Sequence, residues 1–244
     1  MKSKFPEFFP YKTNSPKENF DRKIELLHII DDVIDFLGTF CTELTAAGIC
    51  LKQSQIKKVS LSILDDLQAR IEQDPIAHSE SLIYFFSRSF HIIFYYRIAN
   101  TIFYLRESEL EKRLCKFIAY KISERATQLT GIEIHPQAII GKNFVIDHGV
   151  NTIIGATAVI GDNCTILENV VLGSRKITHN NDGKRHPTLG DNVQISGNVR
   201  IYGPISIGNN SKIGSGCIIT TTLPENSLVK LITIQQVYTV DNKI

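Results

Sequence analysis

The chain has 244 residues, 43% of them hydrophobic and 21% charged, which is enough for one large domain or two modest ones with a buried core. Its 27 Lys and Arg against 25 Asp and Glu leave a net charge of +2, an argument against nucleic acid or an anionic membrane as partner. The most apolar stretch, 81–105, carries Arg88 and Arg97, so it reads as a core helix rather than a membrane span, and residues 1–14 lack the apolar run of a signal peptide.

Apolar residues three and four apart predict helices over roughly 19–40, 54–73, 76–106 and 109–128, with Ser108 and Glu111 at capping-box spacing before the last. Composition then changes near position 130. Thirteen of the fifteen glycines fall at or after Gly131, and twelve of the thirteen phenylalanines fall before it.

From Ile134 an aliphatic residue returns every six positions: Ile134, Ile140 and Ile146, then Ile154, Ile160, Ile166 and Leu172, and again Leu189, Ile195, Ile201, Ile207, Ile213 and Ile219. Four residues after these anchors stand further inward-pointing residues such as Ala138, Phe144, Cys164, Val193 and Cys217. Asn143, Asn163, Asn169, Asn192, Asn198, Asn210 and Gly216 stand three after an anchor, and these types tolerate the left-handed backbone of a sharp corner. Each unit is a short strand plus a corner. Three strands closing a triangular coil, stacked at about 4.8 Å, bury what one strand cannot, and the anchors predict about four coils. The repeat breaks at 149–153 and at 174–188, where function is expected.

Five cysteines, at 41, 50, 115, 164 and 217, include no C-x-x-C, so neither a disulfide framework nor a thiolate zinc site is expected, and a reducing cytoplasm is the simplest location. His28, His78, His91 and His179 read as structural or solvated. His148 follows Asp147 at the first break, and Glu133 on an earlier strand of the coil stacks toward it. A neutral imidazole held by a carboxylate can take a proton from an alcohol at neutral pH; by spacing alone, a histidine hydrogen-bonded at a subunit contact is the commoner case. Lys184, Arg185, His186 and Pro187 form a basic tip in the second break, either a carboxylate holder or a solvated charge run.

The hexapeptide spacing resembles the hexapeptide-repeat acyltransferase superfamily, whose left-handed parallel β-helix departs from the usual right-handed crossover. Within it, Gly131-Ile-Glu-Ile-His-Pro136, Asp147-His148 and Gly183-Lys-Arg-His-Pro187 resemble the serine O-acetyltransferase family, as do Asp74-Pro75, Phe90-His91 and Tyr96-Arg97-Ile98 upstream. The likeness spans roughly 74–223. It implies an α+β chain with an all-helical N-terminal domain (1–130), a left-handed β-helix acyltransferase domain (131–227) and a C-terminal tail (228–244). The implied reaction moves acetyl from acetyl-CoA, the co-substrate, to the hydroxyl of L-serine, giving O-acetylserine for cysteine synthesis, with no metal required.

Residue by residue, the resemblance implies His148 as general base, Glu133 as its orienting carboxylate, Asp74 and Asp147 for the substrate ammonium, and Arg185 and His186 for its carboxylate. It implies acetyl-CoA contacts at Gly173, Gly197, Lys212 and Ser215, a trimer or dimer of trimers, and insertion of a C-terminal isoleucine, here Ile244, into O-acetylserine sulfhydrylase. Two departures stand out. Gly173-Ser174-Arg175-Lys176 replaces the family's Gly-Gly-Thr-Gly, so side chains stand where the pantetheine arm needs room unless Arg175 turns outward toward phosphate. The Gly-x-Pro-Ala that normally closes the last coil is replaced by residues 228–233. Alternatives are an O-acetyltransferase for another small hydroxyl acceptor, a metal-dependent hydratase using His135 and His148, and a non-catalytic regulator that binds the sulfhydrylase through its tail.

Overall fold

The computed structural model describes residues 25–39, 51–73, 80–105, 109–176 and 183–232. Among the described residues five helices lead: α1 (Leu26–Gly38), α2 (Gln53–Gln73), α3 (Glu80–Phe86), α4 (Arg88–Phe103) and α5 (Glu109–Thr130). In α1, Ile29, Val33 and Leu37 recur at i, i+4 and i+8 and are buried, the stripe that periodicity predicts. The single helix expected over 76–106 is instead broken at Ser87. Its backbone is extended, and its hydroxyl accepts from the Phe90 amide, capping the start of α4. Helix α4 is buried nearly all round, from Phe90 through Ile102, and forms the centre of the helical half. The capping box expected at Ser108 lies outside the described residues. No described helix is long and apolar enough to cross a membrane.

Gly131, at φ +72, ends α5, its amide reaching back to the Thr127 carbonyl at 2.8 Å. The chain then winds into coils of three short strands each. The first coil is β1 (Glu133–Ile134), β2 (Ile139–Ile140) and β3 (Val145–Ile146); the second is β4 (Ile153–Ile154), β5 (Val159–Ile160) and β6 (Thr165–Ile166). The third is β7 (Val171–Gly173), β8 (Thr188–Leu189) and β9 (Gln194–Ile195), and the fourth is β10 (Arg200–Tyr202), β11 (Ser206–Ile207) and β12 (Lys212–Ile213). Three parallel sheets result: sheet A ordered β1-β4-β7-β10-β13, sheet B ordered β11-β8-β5-β2, and sheet C ordered β14-β12-β9-β6-β3, where β13 is Ile218–Ile219 and β14 is Leu228–Val229. Register follows the hexapeptide spacing, Ile134 facing Ile154 and Ile154 facing Leu172. Every anchor is at most 7% exposed, and each such burial contributes about 1.5–3 kcal/mol.

A fifth coil exceeds the four expected. After β13, Leu223 bridges to Ile207 of sheet B and β14 pairs with β12, Ile213 facing Val229. Leu223 and Val229 resume the six-residue spacing after a shortened corner. The coil therefore runs past position 227, where the sequence placed its end, and closes without Gly-x-Pro-Ala.

Two corner columns carry most of the left-handed residues. Asn143, Asn163, Asn192, Asn210 and Asn226 turn sheet B into sheet C, while Asn151, Asn169, Asn198 and Gly216 turn C into A, all between φ +54 and +77. Their amides stack side chain to side chain, Asn143 donating to Asn163 at 2.8 Å and Asn169 to Asn198 at 2.6 Å. Along the B-to-C corner, carboxylates also accept from the amides one coil below: Asp162 from Lys142 at 2.7 Å and Asp191 from Asp162 at 2.8 Å. The A-to-B corner lacks such a column, and there the repeat makes room for other chemistry.

Candidate functional site

Asp147 and His148 lie on the C-to-A corner of the first coil. His148 adopts φ +57 and Gly149 φ +76, two successive left-handed residues that turn the exposed imidazole out of the coil. A side chain at Gly149 would overlap Ile146 and Ile132, so glycine is required for this turn to close over the start of the coil. The turn reaches the strand that carries Glu133: the Asn151 amide donates to Gly131 at 2.9 Å, and the Glu133 amide to Thr152 at 2.9 Å. Glu133 and His148 thus share one edge of sheet A, with both side chains exposed and no hydrogen bond between them. Asp147 is engaged from the helical half, where Arg70 of α2 donates from Nη2 to Oδ1 at 2.8 Å. Asp74, four residues on from Arg70, lies outside the described residues.

Arg185 and His186 lie at the other edge of sheet A, on the A-to-B corner, and Thr157 organises them. Its hydroxyl accepts from the amides of Arg185 at 2.8 Å and His186 at 3.0 Å, and its own proton then points to His186 Nδ1 at 2.9 Å. The Thr157 amide also donates to Nδ1, at 3.1 Å. With Nδ1 an acceptor, the proton of the neutral ring is on Nε2, available as a donor. Burial, with Arg185 and Lys184 adding to it, lowers the His186 pKa and favours that neutral form. The ring lies over Gly155, where any side chain would overlap it. His135, one coil below, bonds Tyr120 through Nε2 at 3.1 Å and accepts the Gln137 amide at 3.0 Å; burial, and then His186, push its pKa down to about 4.

Within the basic tip the roles divide. Lys184 turns inward, donating to the Thr157 carbonyl at 2.6 Å, and so braces the loop instead of projecting from it. Arg185 extends its Nη2 to the Lys176 carbonyl at 2.7 Å, while its buried Nε has no hydrogen-bond partner among the described residues. Arg175 folds back over Gly203 and donates to the Tyr202 carbonyl at 3.3 Å. The departure at 173–176 therefore forms a shelf for Arg185.

The residues expected to contact acetyl-CoA divide between the same two edges. Gly197 and Ser215 lie on the C-to-A corner above His148, the Gly216 amide donating to Gly197 at 3.2 Å, and the exposed Lys212 leads into that corner on sheet C. Gly197 leaves room for the Glu168 carboxylate. Gly173 is at the opposite edge, under the Tyr202 ring. His135 and His148 stand at opposite ends of sheet A, and among the described residues no three His, Cys, Asp or Glu side chains gather as a metal site would require. Ile244 and the other tail residues after 232 lie outside the described residues.

Thr157, Gly155 and Arg70 were not singled out from sequence. Thr157 had a legible signal: it occupies the corner position three after Ile154, where the other two corners carry asparagine.

Residues 186–221 match the family described as bacterial transferase hexapeptide (six repeats). A serine acetyltransferase of Bacillus licheniformis is 39% identical over 165 residues, covering 68% of this chain and 71% of the relative. One from Helicobacter pylori is 36% identical over 167 residues, 68% of this chain and 91% of that one. Among solved structures, Entamoeba histolytica serine acetyltransferase isoform 3 in complex with cysteine aligns at TM-score 0.68 and 29% identity, over 89% of this chain and 73% of that one. Neisseria gonorrhoeae serine acetyltransferase in complex with serine aligns at 0.65 and 26%, over 88% and 98%.

Proposed function

Because the chain belongs to the serine acetyltransferase family, with that family's left-handed β-helix, we propose that it transfers the acetyl group of acetyl-CoA to the hydroxyl of L-serine, releasing O-acetylserine and CoA. The observation that carries this reading is the division of charge across sheet A. One edge offers carboxylates, Asp147 and Glu133, beside an exposed imidazole; the other offers the Arg185 guanidinium and an Nε2–H from His186. A zwitterionic amino acid needs both signs, whereas a sugar hydroxyl needs neither.

In this reading the His148 imidazole takes the hydroxyl proton as the serine oxygen attacks the thioester carbonyl, and Glu133 steadies the imidazolium that forms. The tetrahedral oxyanion collapses, the C–S bond breaks, and the imidazolium returns its proton to the CoA thiolate. Asp147, with Asp74, receives the ammonium, while Arg185 and His186 receive the carboxylate by charge-assisted hydrogen bonds. Acetyl-CoA runs along the C-to-A corner above His148, past Gly197, Ser215 and Lys212.

His148 stands on the C-to-A corner and the Arg185–His186 loop on the A-to-B corner, so in this reading one serine is not held by both within a single copy. The site is then completed by the Arg185–His186 and Gly173 edge of a second copy, and the protein works as a homo-oligomer, a trimer or a dimer of trimers.

The test is thiol release from acetyl-CoA with and without L-serine, in the wild type and in His148→Ala. Serine-dependent release that disappears in the variant supports acceptor, reaction and base together. Well-folded protein without serine-dependent release overturns the serine assignment and turns attention to other hydroxyl acceptors.

A further inference from the structure

The C-terminal half of α2 meets the coil through a polar seam. Asp66, Arg70 and Gln73 stand at i, i+4 and i+7, on one face of the helix, and each bonds a different point of the coil. Asp66 accepts from the Phe144 amide at 2.9 Å, Arg70 donates to Asp147 at 2.8 Å, and Gln73 accepts from the Thr165 hydroxyl at 2.8 Å. Asp66 also binds the buried Arg97, and Gln73 binds a strand residue on the surface. Arg70 is the member of the seam that grips a residue of the acceptor site. Its side chain is 13% exposed and that of Asp147 34%, so the guanidinium approaches from the protein side while the carboxylate stays open to solvent.

We propose that Arg70 is a positioning residue for the acceptor amino acid: it holds the Asp147 carboxylate beside His148 through Oδ1 and leaves the second oxygen for the acceptor's ammonium group. This inference rests on the serine acetyltransferase reading of the site. A carboxylate has about four lone-pair positions on two oxygens, so one cation does not saturate it. Asp147 sits on an outward turn, and an unheld carboxylate there would rotate freely and lose that freedom each time an acceptor bound. A charge-assisted bond from a nearly buried guanidinium removes the rotation beforehand, which is preorganisation. The guanidinium also repels an arriving ammonium, but across the intervening carboxylate and at a solvent-open position where that repulsion is screened. Positioning therefore outweighs repulsion, and loss of Arg70 weakens acceptor binding.

The sign makes the inference testable with Arg70→Gln, Arg70→Lys and Gln73→Ala in the full-length protein. Arg70→Gln is expected to raise the KM for L-serine roughly tenfold or more, the usual scale for removing a group that orients a ligand-binding side chain. The KM for acetyl-CoA should not move, and kcat at saturating serine should stay within about threefold of wild type, since the orienting group never touches the reacting atoms. Arg70→Lys keeps the charge without the planar fork and should raise the serine KM less. Gln73→Ala removes a neighbouring docking bond from the same helix face and should leave the serine KM unchanged. A folded Arg70→Gln with serine KM unchanged or lowered overturns the proposal, as does a parallel change in both KM values. Should Arg70→Gln fail to fold, Arg70→Lys decides: a wild-type serine KM in that variant overturns it equally. If the wild type itself shows no serine-dependent thiol release, the functional reading fails and takes this inference with it, an outcome distinct from an active wild type whose Arg70 variants bind serine normally.

Discussion

The hydroxyl of Thr157 stands 2.9 Å from Nδ1 of His186 and accepts the backbone amides of both Arg185 and His186, so one side chain sets the path of the basic loop and the tautomer of its histidine. Thr157→Val keeps the volume and removes all three bonds. The variant is expected to lower kcat/KM for L-serine by roughly tenfold to a hundredfold, because in the proposed reading Arg185 and His186 receive the serine carboxylate and a displaced loop loses acceptor orientation. The KM for acetyl-CoA serves as the internal control. Gly155→Ala, which displaces the ring from below, should reproduce the serine defect by a different route.

His148 offers a clean separation of chemistry from fold. Its backbone is left-handed at φ +57, a conformation that asparagine tolerates well and already occupies at the neighbouring corners. His148→Asn should therefore keep the thermal midpoint within about 2 °C of wild type, since a substitution that the backbone accepts shifts stability by only a few tenths of a kcal/mol. Serine-dependent thiol release should fall by about 10²–10⁴, the usual contribution of a general base. A variant that is both stable and active would remove His148 from the mechanism.

The β-helix was legible in the sequence because its physical rule is local. Each anchor must be aliphatic to fill the coil, and most corners must tolerate positive φ, so Ile134 to Ile219 and the asparagines announce themselves. The fifth coil escaped notice because the corner before Leu223 is shortened, shifting the phase of the repeat without ending it. The helical half was less legible. Helix α4 is buried on nearly every side, so its apolar residues show no stripe to mark its limits, and a single serine hydroxyl at Ser87 decides where it begins. At the site, Asp147, His148, Arg185 and His186 stood out by chemistry, yet what holds them, Thr157 and Arg70, belongs to elements 28 and 77 positions away from the residues they contact. Such pairings are products of the fold, which no local pattern encodes.

His135 makes stability sensitive to acid. In the unfolded chain it titrates near the ordinary histidine value of about 6.5, whereas burial and the nearby His186 hold it at about 4 in the fold. The folded state resists the proton that the unfolded state accepts, so this contribution is complete above pH ~6.5 and declines as pH falls toward 4. Protonation would also force Nδ1 to give up the Gln137 amide. Thermal melts of wild type and His135→Asn from pH 7.5 to 4.5 should show the gap between the two narrowing with acid. A gap that stays constant would mean that His135 does not titrate differently in the folded and unfolded states.

The joint between the helices and the coil depends on a buried ion pair. Arg97 of α4 donates to both oxygens of Asp66 of α2, at 2.7 and 3.0 Å, and reaches the carbonyl of Ile140 at 2.7 Å, while Asp66 receives the Phe144 amide. Asp66 is wholly buried and the Arg97 side chain is 10% exposed, so neither charge can fall back on water if its partner is lost. Asp66→Ala strands a guanidinium and an amide and is expected to destabilise the protein by about 3–5 kcal/mol, read as a shift in the denaturant midpoint. Arg97→Met strands the carboxylate and should cost a similar amount. Because each single loss includes the penalty of the orphaned partner, the double variant Asp66→Ala/Arg97→Met should destabilise by clearly less than the sum of the two. Strict additivity would show that the two charges do not support one another, and the docking of α2 and α4 onto the first coil would then have to rest on their other contacts, among them Arg70 with Asp147 and the Tyr96 hydroxyl with the Ala138 carbonyl.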